Sequence, residues 1–274
     1  MLEAALAGLF GLLIGSFLNV CIFRWPRDLS VVRPRSFCPE CEKQILWYDN
    51  IPLLSYLLLK GRCSHCGARI SVRYPIVEAL TGALFFSFVA ALGLTLVAFK
   101  FCLLSALVIG MVFSDLEERI LPDEFTIGGI IAGLALSLVI PIDDGTAAFF
   151  LGIAGRHPAG PVLSLAESAL GAAVPSGFLW LTGEIFFRLR KKEGLGFGDV
   201  KMLAAVGAFL GLRGALLTMI AGSLLGSVIG LVFILITKKD SSSYELPFGA
   251  FLGAAAIGVS LVGQRVLAWY AGLF

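Results

Sequence analysis

Two kinds of side chain stand where chemistry can be done. Asp115, in Phe113-Ser114-Asp115-Leu116, ends one long apolar run, and Asp199, in Gly196-Phe197-Gly198-Asp199-Val200-Lys201, begins another. Ionisable groups at a membrane edge are costly, so each is a functional candidate. If the two meet, they form a carboxylate dyad of the aspartic-protease kind. Adjacent negative charges are not both tolerated, so the pair holds one proton and activates a water against a peptide carbonyl. A helix C-terminus carries partial negative charge, which makes Asp115 misplaced unless it is functional and casts it as the protonated acid. The N-terminal setting of Asp199 casts it as the ionised base, although a bare N-cap would explain Asp199 equally well. The Gly196-x-Gly198 turn lets backbone approach closely beside the carboxylate and could receive an extended peptide.

Four of the six cysteines form Cys38-Pro-Glu-Cys41 and Cys63-Ser-His-Cys66, two C-x2-C pairs 21 residues apart. That spacing is close to that of a zinc site, in which four thiolates surround one Zn2+ tetrahedrally. Four protein ligands leave no open position, so such a zinc is structural. Gly67 suits the tight turn of a knuckle, His65 reads as a bystander, and Cys21 and Cys102 read as small core residues.

The elements that must position these groups are membrane helices. The 274 residues are 58% hydrophobic and only 15% charged, with a mean hydropathy of +0.93. Soluble domains carry roughly 25% charged residues. A spanning helix needs about 20 mostly apolar residues, and eight stretches qualify: 2–23, 75–94, 97–114, 125–141, 164–188, 200–212, 214–237 and 248–271. The first reads as a retained span rather than a cleaved signal, because no basic segment precedes it. Seventeen of the 21 Lys and Arg fall on alternate connections, which puts segment 24–73 and both aspartates on the cytoplasmic side. A net charge of +2 gives no reason to expect nucleic acid as a partner.

The fold class is therefore an all-α polytopic membrane protein of about eight transmembrane helices. A small cytoplasmic zinc-knuckle domain (24–73) lies between the first helix (1–23) and a seven-helix domain (74–274). Segment 142–163 is an outward loop with a short helix. Gly222, Gly226 and Gly230 read as helix-packing positions. Asp123 and Glu124 read as caps, Glu78 and Glu167 as dipole-favoured residues near helix starts, and Glu117 and Glu118 as solvated charges. Glu184 is a spare carboxylate candidate.

The chain resembles the bacterial type IV prepilin peptidases. The matching stretches are Gly15-Ser16-Phe17-Leu18-Asn19-Val20, Arg35 through Cys41, Asn50 through Tyr56, Gly61 through Cys66 and Arg73 through Glu78. They continue with Asp115 through Asp123, Gly196 through Lys201, and Leu246-Pro247-Phe248-Gly249. The resemblance implies a GxGD-type aspartic endopeptidase of the bacterial inner membrane, with Asp115 and Asp199 as its catalytic pair. It implies removal of a basic leader from prepilins or pseudopilins after a glycine, at the cytoplasmic face. N-methylation of the new N-terminus with S-adenosylmethionine would follow, associated with 24–73, where no methyltransferase fingerprint is visible. The outward loop near 143–163 is longer and more polar than that pattern needs. Two other readings are an ion-coupled transporter binding cations at Asp115 and Asp199, and a zinc-stabilised secretion scaffold without catalysis.

Overall fold

The structure is a computed structural model that describes residues 1–155, 159–192, 194–237 and 247–272. Arg156, His157, Pro158, Lys238, Lys239 and Leu246 therefore lie outside the described residues. Among those described, the chain is helical, with two isolated β-bridges and no strand. Its packing divides it into two units, Met1–Ser114 and Asp115–Phe274. The boundary falls inside the third long helix rather than near residue 73.

The first unit holds α1 (Leu2–Arg24), the short α2 (Leu54–Leu58), α3 (Arg73–Leu92) and most of α4 (Leu96–Glu118). α1 and α3 approach through small residues. A Cβ at Gly11 would sit 2.8 Å from the Thr81 carbonyl oxygen, and one at Gly15 would sit 2.7 Å from the Glu78 Cα. Close helix contact of this kind replaces the hydrophobic driving force that lipid removes. The outer face of α1, with Leu6, Phe10, Leu13 and Phe17, is exposed, as a lipid-facing stripe should be. Asn19 Nδ2 donates to the Tyr74 carbonyl at 3.0 Å. The buried Arg24 donates to the carbonyls of Ser30 and Pro34, both at 2.8 Å, which fixes the chain as it leaves the helix.

The second unit is built from α5 (Asp123–Ser137), α6 (Thr146–Ile153), α7 (Pro161–Arg190), α8 (Phe197–Thr237) and α9 (Phe248–Ala271). Its centre is the first half of α8, where Met202, Leu203, Val206, Ala208 and Phe209 are almost fully buried. α7 crosses α8 with backbones touching: a Cβ at Gly171 would lie 2.5 Å from the Gly207 carbonyl oxygen. Gly133 on α5 meets Ala208, and Gly222 and Gly226 meet Leu252 and Phe251 on α9, so the latter two are packing positions.

Five described helices are long and apolar enough to cross a bilayer, against the eight stretches expected. The difference has three causes. α5 has 15 residues, about 22 Å at 1.5 Å per residue and short of a hydrocarbon core of about 30 Å. For α9 only Phe248–Gly263 counts among the described residues. The expected spans 200–212 and 214–237 are two helices that meet at a kink at Gly211 (φ 76°) and count as one run. Asp144 makes this break. Its Oδ2 accepts the Arg213 N–H at 2.9 Å, and its Oδ1 lies 3.0 Å from Arg213 Nε. The segment after α5 thus carries the cap for the second half of α8, and it holds the short helix α6.

Candidate active site

α4 runs to Glu118 and stops at Arg119, which is left-handed (φ 56°). Asp115 is therefore in the last turn, as the sequence reading requires. Leu121 and Pro122 follow, and α5 begins at Asp123. Asp123 has no capping bond; it is an exposed first-turn acid paired with Lys201. α8 begins two residues before Asp199, whose N–H donates to the Gly196 carbonyl at 3.1 Å. Asp199 is thus inside the first turn, and the plain N-cap explanation for it fails.

Both carboxylates are buried and converge. One point, the Cβ position that Gly249 lacks, lies 2.9 Å from Asp199 Oδ1 and 3.1 Å from Asp115 Oδ2. The two oxygens can be no further apart than the sum of those distances, a span that one water can bridge, and Asp199 feels the charge of Asp115. The Ala250 N–H, at the start of α9, donates to Asp115 Oδ2 at 3.1 Å. The positive end of α9 therefore offsets the negative end of α4 at Asp115. Helix polarity therefore does not separate the two acids into proton donor and base.

The two glycines of the turn take different places. A Cβ at Gly196 would lie 3.5 Å from Asp199 Oδ2, so Gly196 borders the carboxylate. One at Gly198 would lie 3.0 Å from Leu121 Cδ1, so Gly198 seats the start of α8 on the segment that follows Asp115. Glu184 is bonded to the exposed Arg188 at 2.7 Å on the α7 surface and is not brought to the pair. Sequence reasoning missed Gly249 and Ala250. The Pro247-Phe248-Gly249 stretch was legible as a resemblance, but nothing in it says which residue it folds against.

Two further acids differ from their expected roles. Glu78 accepts the Leu53 N–H at 2.8 Å through Oε2 and so ties the cysteine segment to α3. Glu167 is fully buried, and its Oε1 accepts the N–H groups of Ala147 and Ala148, capping α6.

The four paired cysteines converge. The thiols of Cys38, Cys41, Cys63 and Cys66 all lie within 4.8 Å of one another. A tetrahedral ion with bonds of about 2.3 Å sets sulfurs about 3.8 Å apart, and Cys38 and Cys66 are 3.9 Å apart. Each pair sits on the same turn: the Glu42 N–H donates to Cys38 and the Gly67 N–H to Cys63, with φ of 57° and 73° at those two donors. Backbone N–H groups of Cys66 and His65 pull the Cys63 thiol down to about 6, towards the thiolate a metal binds. The His65 ring is outside the cluster, beside Ser64. These four thiols can hold a metal ion.

Residues 9–92 match the bacterial peptidase A24 N-terminal domain, and residues 101–231 match the type IV leader peptidase family. A protein of Aeromonas salmonicida is 35% identical over 97% of this chain and 93% of its own length. The chain belongs to the type IV leader peptidase family. A relative from Legionella pneumophila is 32% identical over the same shares, and one from Myxococcus xanthus 39% identical over 86% of this chain and 64% of its own length. All three are named prepilin leader peptidase/N-methyltransferase. No solved structure matches the chain. Within this family the helical membrane fold is the expected one, and nothing in the comparisons supports an ion-coupled transporter.

Proposed function

We propose that this chain cleaves the basic leader from prepilin-like proteins after a glycine and then N-methylates the new terminus, with Asp115 and Asp199 as the hydrolytic pair. The observation that carries the reading is the convergence of two buried carboxylates, 84 residues apart in sequence, on one point beside Gly249. A pair sharing one proton can hydrolyse a peptide without a covalent intermediate. The ionised member takes a proton from water as the water oxygen attacks the carbonyl carbon, and the protonated member gives its proton to the carbonyl oxygen. The resulting diol returns a proton to the pair, the C–N bond breaks, and the leaving nitrogen takes the other proton. One proton remains, on the carboxyl that held it at the start.

The basic residues of the connections support placing this site at the cytoplasmic face of the inner membrane. A substrate whose apolar helix already lies in the bilayer would present its bond at that depth. Gly196, bordering Asp199, is proposed to receive the extended backbone around the bond. Gly198, packed on Leu121, holds the turn in place. Pilins and pseudopilins are the proposed partners.

Zn2+ is the proposed occupant of the four thiols, since an all-sulfur tetrahedron is a setting it favours. Methylation requires a donor, and S-adenosylmethionine supplies a transferable methyl group. The first unit has an open cavity of about 350 Å3 whose lining includes Ser16, Phe17, Arg24, Arg35 and Asn50. That volume lies within the usual range for small-molecule sites.

The test is mass spectrometry of a prepilin-like peptide incubated with the purified, membrane-reconstituted chain and S-adenosylmethionine. The expected product ends after glycine on one side and carries one added methyl on the other. An intact peptide overturns the peptidase reading, and cleavage without methyl gain overturns the second activity.

A further inference from the structure

The geometry points to the start of α9 as a third wall of the hydrolytic site. Gly249 is a positioning residue whose bare Cα sets how closely Asp115 and Asp199 approach, and the Ala250 N–H fixes the orientation of the Asp115 carboxyl. This rests on the proposed peptidase reading and adds to it residues from a helix that carries neither aspartate.

Gly249 differs from the other tightly packed glycines of this unit. At Gly133, Gly171, Gly207 and Gly222 the atoms nearest an added Cβ are backbone or apolar side-chain atoms of a facing helix. At Gly249 all three nearest atoms belong to the aspartates: Asp199 Oδ1 at 2.9 Å, Asp115 Oδ2 at 3.1 Å and Asp115 Cγ at 3.2 Å. Its φ is not among the positive values, so the backbone conformation does not demand glycine. Glycine in a helix is less stable than alanine. What the position requires is space beside the carboxylates.

The consequence separates stability from rate. A Cβ here would be relieved by moving the ends of two short side chains, which costs the fold little. The same shift is costly to a reaction that needs both oxygens on one water and one carbonyl, because misplacement of about 1 Å can lower rates about 10²-fold. The Ala250 N–H adds direction. It lies in the first turn of α9, where it is shared between the Pro247 carbonyl at 3.2 Å and, at 3.1 Å, the same Asp115 oxygen that faces Gly249.

The experiment measures kcat and KM for cleavage of a prepilin-like peptide by the reconstituted full chain. Thermal melting and methylation of a pre-cleaved peptide are measured alongside. Gly249→Ala is expected to lower kcat about 10²-fold while KM, melting and methylation hold. Ala250→Pro deletes the N–H at the third residue of α9 and is expected to lower kcat similarly. Ala250→Gly, which keeps the N–H, recovers most of that loss. Wild-type kcat in Gly249→Ala, or parallel loss of cleavage, melting and methylation in both Gly249→Ala and Ala250→Pro, overturns the inference. Equal losses in Ala250→Pro and Ala250→Gly remove the N–H from it. If the unmodified chain leaves the peptide intact, the peptidase reading itself fails, and this inference falls with it.

Discussion

At the scale of the residue, the site turns on groups whose surroundings contradict their ordinary use. Asp115 stands at a helix end that repels negative charge, and the start of a distant helix supplies the compensating N–H. General acid–base groups contribute about 10²–10⁴-fold, so Asp115→Asn and Asp199→Asn should each lower cleavage kcat by at least that range. Single-turnover assays with a prepilin-like peptide would measure this. A pair working with one shared proton predicts a bell-shaped pH profile of kcat, falling at low pH when both carboxyls are protonated and at high pH when both are ionised. A flat profile from acid to alkaline pH would contradict a shared proton. Both aspartates were legible in the sequence because charged residues at the ends of apolar runs are rare. Ala250 was not legible, since a backbone N–H has no sequence signature and its acceptor is 135 residues away. Glu78 and Glu167 were misread for a related reason. Their positions near helix starts suggested a dipole role, while their actual partners lie 25 and 20 residues back.

At the scale of the element, the second unit depends on backbone contact between helices. A Cβ at Gly207 would run into the Gly171 carbonyl oxygen, so it cannot be accommodated without separating α7 from α8. Gly207→Ala should destabilise the protein by about 3 kcal/mol or more, beyond the usual cost of overpacking, as measured by thermal or denaturant unfolding in detergent. Gly211 is a different case. Its φ of 76° and the Asp144 oxygen 2.9 Å from an added Cβ both oppose a side chain. Gly211→Ala should cost about 1–3 kcal/mol, and Asp144→Ala should destabilise in the same direction by uncapping the second half of α8. The break was visible in the sequence as two apolar stretches, but not the residue that caps it. α8 also began earlier than the stretch 200–212 suggested, because Phe197 and Gly198 join its first turn. That small shift removes the N-cap explanation for Asp199.

At the scale of the whole molecule, the chain joins two units with different stabilising devices. The second unit has a buried helical centre, whereas the segment between α1 and α3 has few buried side chains and four clustered thiols. Segments of this size usually need a staple, and a bound metal can supply folding free energy directly. Purified protein should therefore carry about one zinc per chain. Chelation, or Cys38→Ser, should expose Arg62 and Arg69 to trypsin while α7 and α8 stay protected. Unchanged proteolysis after metal loss would remove the structural role. This device was fully legible, because C-x2-C spacing is local and each pair builds its own turn. The number of spanning helices was less so, since hydropathy alone does not show where a helix stops short or two merge.

The most direct measurement compares cleavage by Asp115→Asn, Asp199→Asn and the double variant under single-turnover conditions. Two carboxyls acting as one unit predict that each single variant loses nearly all activity and that the double variant is no slower than either. Losses that multiply in the double variant, or near-normal cleavage by either single one, would contradict a shared hydrolytic pair.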